Sequence, residues 1–150
     1  MANLLEERRV PYVFPINVKH NLDTPLERGM LVSVDGINAQ EFDVYDVVAV
    51  TAEKRVAMIT EVAIGYEDTF DERDMVLPKG KVGRANYLQR GEIYTVAKSL
   101  LSGTKTVGTL IKPKASGHDW EDASGAEDAV AIVLKETNYE GQESVWIEIL

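Results

Sequence analysis

The sequence predicts a mainly β protein: a compact β-barrel or β-sandwich of about eight to nine short strands with an extended N-terminal arm. Three observations carry that expectation. Residues 129–150, AVAIVLKETNYEGQESVWIEIL, alternate apolar and polar side chains on both sides of a turn, the period of strands with one buried face. Upstream, runs rich in Val, Ile, Thr and Tyr are separated by Gly- and Pro-marked turns. The first 25 residues differ from the rest, holding three of the five prolines and no glycine. Helix is expected in under about one-fifth of residues, against a globular average near one-third.

Residues 1–25 are assigned to the arm. The segment Val10-Pro11-Tyr12-Val13-Phe14-Pro15-Ile16 is apolar and aromatic, but its prolines bar a helix interior or a central strand. Each residue before a proline is pushed to extended geometry. Such a segment needs a surface to lie on, either its own domain or a neighbour. Tyr12, Val13, Phe14 and Ile16 are its candidate partner-binding side chains.

Residues 26–150 are assigned to a single β domain. Leu26-Glu27-Arg28-Gly29-Met30-Leu31-Val32-Ser33-Val34 echoes Leu88-Gln89-Arg90-Gly91-Glu92-Ile93-Tyr94-Thr95-Val96. In each, Arg-Gly reads as a turn into a strand, which predicts equivalent strand starts. Asp35-Gly36 reads as a hairpin turn. The run DVYDVVAV at 43–50 is apolar on both faces, as in a central strand. Residues 56–66 fit helix or strand; their β-branched content and Gly65 favour strand. Short strands are expected at 75–77, 81–87, 92–101 and 106–112, with an acidic loop at 67–74 and a long loop at 114–128. In the closing hairpin, Val130, Ile132 and Leu134 form one inward face and Val145, Ile147 and Ile149 the other. Gly141 supplies the turn, and Trp146 lies on the outer face.

Composition narrows the function. Net charge is −9 and the pI about 4.7, so the chain repels nucleic acid and anionic membrane at long range. No apolar run approaches the roughly 20 residues that span a bilayer. Glu6, Glu7, Arg8 and Arg9 stand where an export signal needs an apolar core. There is no cysteine, hence no disulfide framework or thiolate metal site, as suits assembly in a reducing cytoplasm.

No catalytic set emerges. Two distant histidines, His20 and His118, do not supply a zinc site. Ser116, His118 and Asp119 are close in sequence, but neighbouring loop residues seldom converge as a triad. Gly103-Thr104-Lys105-Thr106 lacks the first glycine of a phosphate loop. The acidic clusters at 67–74 and 119–128 match no calcium loop and read as solvated surface. No cofactor, metal or catalytic residue is therefore assigned. Trp120, in the long loop, and Trp146 are possible interface aromatics; a covering layer of the same domain is the alternative for Trp146.

Three stretches, Leu26-x-Arg28-Gly29-Met30-Leu31-Val32-Ser33-Val34-Asp35-Gly36, Pro78-Lys79-Gly80-Lys81-Val82-Gly83-Arg84-Ala85 and Arg90-Gly91-Glu92-Ile93-Tyr94, give the chain a Gly-punctuated strand pattern. With the proline-laden arm and acidic body, it resembles the capsid decoration (cement) proteins of tailed bacteriophages, over residues 26–96. The resemblance implies a structural, non-enzymatic virion protein. Such a protein binds the major capsid protein on the outside of the assembled head, often as a trimer, and stabilises it after assembly in the host cytoplasm. It carries over no functional residue. The alternatives are a tail-tube or head–tail joining protein and, from another class, a β-barrel carbohydrate-binding module or enzyme, for which sugar near Trp120 or Trp146 would speak.

Overall fold

The computed structural model describes residues 4–9, 15–62 and 76–150; of 5–9 only the backbone pairing is described. Among the described residues thirteen strands follow in order: β1 (Leu4–Arg9), β2 (Ile16–His20), β3 (Leu26–Glu27), β4 (Leu31–Ile37), β5 (Val44–Val48), β6 (Val56–Glu61), β7 (Val76–Leu77), β8 (Val82–Tyr87), β9 (Ile93–Ala97), β10 (Leu110–Pro113), β11 (Trp120–Asp122), β12 (Ala131–Tyr139) and β13 (Gln142–Ile149). The expected β class holds, with more and shorter strands than the eight or nine expected. The helical element among the described residues is a 3-10 turn, Lys98–Leu100. No helix among these residues is long and apolar enough to cross a membrane.

Five strands form a ring in the order β2-β5-β4-β6-β8, and β8 pairs back onto β2. All contacts in the ring are antiparallel except β2 with β5. Val18, Val32, Val47, Ala57, Ile59 and Ala85 share the barrel core with Leu26 and Leu77 from the short β3–β7 ladder. Leu77 explains Gly83: a Cβ there would lie 2.9 Å from a Leu77 methyl and 2.7 Å from the Glu61 carbonyl. The glycine lets the ladder seat against the barrel wall.

The other six strands form an antiparallel sheet ordered β1-β9-β13-β12-β10-β11. Its inner face, including Tyr94, Val96, Val145, Ile147, Ile111 and Trp120, packs on Leu31, Val50 and Met58 of the barrel half. Period 2 thus serves both cores at once. In β4, Val32 belongs to the barrel core and Leu31 to the sheet core; in β6, Ala57 and Ile59 flank Met58 in the same way. Strands buried on both faces read as continuous apolar runs.

The two Arg-Gly stretches are structural equivalents. Each is a turn closed by a backbone bond, Met30 N to Glu27 O (3.1 Å) and Glu92 N to Gln89 O (3.2 Å). Gly29 and Gly91 take φ of 96° and 92°, as the third position of a type II turn requires. The fourth side chain accepts from the first residue's N–H: Glu27 N donates to Met30 Sδ, and Gln89 N to Glu92 Oε1. Each glycine N–H donates to an isoleucine carbonyl, Ile59 or Ile149, at 2.7 Å, and that isoleucine's N–H returns to Met30 O or Glu92 O at 2.9 Å. The following strands keep matching register, Leu31 opposite Met58 and Ile93 opposite Glu148.

Several expectations are corrected. Within the expected arm of residues 1–25, the described strands are paired into the body, β1 with β9 and β2 as a wall of the barrel, while residues 10–14 lie outside the described residues. Proline is tolerated just before a strand, so Pro15 leaves β2 free to begin at Ile16. Asp35-Gly36 is a bulge within β4, and the turn comes later, at 38–43. The strand expected over 56–66 ends at Glu61; residues 63–66 and the whole acidic loop at 67–74 lie outside the described residues. The long loop 114–128 contains β11. In the final hairpin, Val145, Ile147 and Ile149 are buried as expected. In β12, however, Ala131 and Val133 face the core while Leu134 is 37% exposed, because Ala131 and Val133 oppose Ile149 and Ile147 and a bulge follows Val133.

Candidate partner-binding surface

The side chains that invite a catalytic reading are used to hold the fold. Leu22 N–H donates to His20 Nδ1 (3.1 Å), so Nε2 carries the proton and donates to Leu77 O (2.7 Å). His118 makes a two-way clamp on β4: Leu31 N–H donates to its carbonyl, and its Nδ1 donates to Leu31 O, both at 2.8 Å. Ser116 N and Gly117 O bond Val50 next to it. Ser116, His118 and Asp119 therefore belong to a joint between sheet and barrel. Among the described residues, no three His, Asp or Glu side chains group to hold a metal.

The carboxylates at 119–128 likewise tie down loops. Asp122 accepts from Thr104 N and Thr104 Oγ1, so the 103–106 loop points an N–H at a carboxylate of its own chain. Asp128 accepts from Gly125 N (3.0 Å), Lys112 Nζ (3.0 Å) and Ser124 N (3.1 Å). The Gly125 bond first, then Lys112 and Ser124, hold its carboxyl well below the usual carboxylate range. A depressed folded-state pKa stabilises the fold above the unfolded value, about 3.9, and the benefit is lost as pH falls below it. Melting midpoints taken between about pH 2 and pH 6 should show Asp128→Asn with a flatter acid limb than wild type. Parallel limbs would show that the carboxylate contributes nothing.

The structure separates the two tryptophans. Trp120 is not a surface aromatic: it is fully buried in β11, within the sheet core. β10 holds it there, pairing Pro113 opposite Trp120, and Leu101 forms a parallel bridge to it. Trp146 is half-buried on the outer face, with Lys135 Nζ 4.8 Å over its ring. Tyr12, Val13 and Phe14 lie outside the described residues. Ile16 is not an arm residue; it opens β2 opposite Ala85 and packs, partly buried, on the barrel core.

The surface feature that sequence reasoning missed is the β4–β5 connection. Phe42 is 98% exposed and Ile37 71%. They border a hollow of about 320 Å³ lined by residues 37–45. Asn38 fixes the backbone around it. Its Oδ1 accepts from Gln40 N and Glu41 N, both at 2.9 Å, its Nδ2 donates to Asp46 Oδ1 (2.8 Å), and its N–H donates to Val44 O (2.8 Å). From β2, Asn17 Nδ2 donates to Asp43 O, and Lys19 pairs with Glu41. Asp43 takes a left-handed φ of 59°, a conformation that Asp and Asn adopt more readily than most residues. The available sequence signal was an aromatic inside a polar run, Asn38-Ala39-Gln40-Glu41-Phe42-Asp43, masked by the stronger turn signal at Asp35-Gly36.

The arrangement suits recognition: a large apolar side chain held out in water on a tethered backbone. No protein-family model matches the sequence, and no curated protein matches it significantly.

Proposed function

We propose that the protein is a structural, non-enzymatic virion protein that binds the outer surface of an assembled phage head and stabilises it. Its partner is the major capsid protein, and it acts as a homo-oligomer, a trimer in the favoured form. The observation that carries this reading is Phe42, exposed on a braced tip of an acidic β body. An exposed aromatic on a fixed loop is a ready anchor for a protein partner. The net charge of −9 disfavours nucleic acid and anionic membrane as that partner. Many copies on a lattice add avidity without strong single contacts. Burial of Trp120 removes one of the two aromatics that a sugar-binding reading would use.

The test is to mix purified full-length protein with expanded empty heads and sediment them. Saturable co-sedimentation, with free protein staying in solution, is the expected result. Polymerisation of the protein alone, with no uptake onto heads, would overturn the reading and favour a tail-tube protein.

A further inference from the structure

We infer that the 38–43 tip is the attachment point itself, and that it fits a partner surface with an apolar socket rimmed by lysine or arginine side chains. The inference rests on the head-binding reading above and specifies the chemistry of the contact.

Three observations define the partner. Phe42 projects fully, and the hollow beside it, lined by residues 37–45, leaves room for a partner side chain to pack. Knob and hollow together favour an apolar, shaped socket over a flat polar surface. The tip is also braced before binding. Asn38 supplies four hydrogen bonds across 38–46, and β2 supplies the Asn17 and Lys19 contacts. A backbone already ordered has little freedom left to lose on docking.

Charge then selects the rim. Glu41 and Asp43 flank Phe42 in sequence, and Asp46 is tied to the same loop through Asn38. The lysine in this bonded network is Lys19, paired with Glu41. Lys19 balances Glu41, and Asp43 and Asp46 leave the loop around the knob net negative. A second copy presents the same carboxylates, so tip-to-tip pairing sets like charge against like. Basic groups around an apolar socket complement the surface, setting orientation and speeding encounter.

The test uses the full chain, with Phe42→Ser and Asp43→Asn, in co-sedimentation with expanded empty heads at about 0.05 M and about 0.5 M NaCl. Asn tolerates the left-handed φ at 43, so that variant removes charge while keeping the turn. Phe42→Ser is expected to bind at least about tenfold more weakly, with an unchanged thermal midpoint because the side chain is exposed. Asp43→Asn is expected to bind more weakly in low salt and to match wild type in high salt. If Phe42→Ser binds like wild type, the tip is not the attachment point, although head binding stands. If Asp43→Asn matches wild type in low salt, the basic rim is wrong. Self-association of wild type that is lost in Phe42→Ser would make the occupant a second copy and overturn the inference. Failure of wild type to bind heads would overturn both readings.

Discussion

Trp120→Ala is expected to lose roughly 3–5 kcal/mol of folding stability. The indole is fully buried among Leu31, Leu100, Leu101, Ile111 and the inner face of the six-stranded sheet. Truncation leaves a large cavity in a region where both halves of the molecule meet, and close-packed surroundings relax only in part. For a domain whose total stability is about 5–15 kcal/mol, that loss brings the folded state near its limit. Trp120→Phe should be much milder. It keeps most of the ring volume and removes Nε1, which is buried with no hydrogen-bond partner among the described residues. Urea melts of the two variants provide the comparison. A loss below about 1 kcal/mol for the alanine variant would place the side chain at the surface instead.

Ile147→Ala should lose about 2–5 kcal/mol, and Leu134→Ala about 0.5 or less. Both are large aliphatic residues in the same hairpin, but Ile147 is fully buried and Leu134 is 37% exposed. The difference comes from pairing. Val133 opposes Ile147 on the core face, and the bulge after Val133 brings Lys135 opposite Trp146 on the outer face. Similar losses for the two variants in denaturant melts would mean that β12 presents its other face to the core.

That hairpin shows how far the sequence could be read. Alternation at period 2 identified both arms, the turn and the inward face of β13, because turn chemistry and hydrophobic period agree there. It misassigned β12, where Ala131 and Val133 are smaller than Ile132 and Leu134, because a bulge leaves no compositional mark. Asp35-Gly36 failed for a related reason: the dipeptide that favours a tight turn also suits a bulge. β3 and β7 have two residues each, too few for any period to show. β11 was hidden in a polar stretch, since its one deeply buried residue, Trp120, is flanked by Glu121 and Asp122. The repeated Arg-Gly turn was legible because a type II turn needs a special backbone angle, and glycine advertises it. The Phe42 tip was not, because exposure depends on what the rest of the chain leaves uncovered.

Before Gly29 can reach Ile59 the chain must close a loop, and before Gly91 can reach Ile149 it must close another of about twice the length. A doubling costs only about 0.6 kcal/mol, and the same reciprocal pair of bonds fastens both closures. Loop length therefore gives neither ladder a decisive head start. Neither can finish alone, however. Leu31 and Met58 lie on the barrel ladder but bury their side chains in the sheet core, so a barrel formed first would expose them and a sheet formed first would lack them. Two ladders that depend on one shared set of side chains should unfold as one cooperative transition.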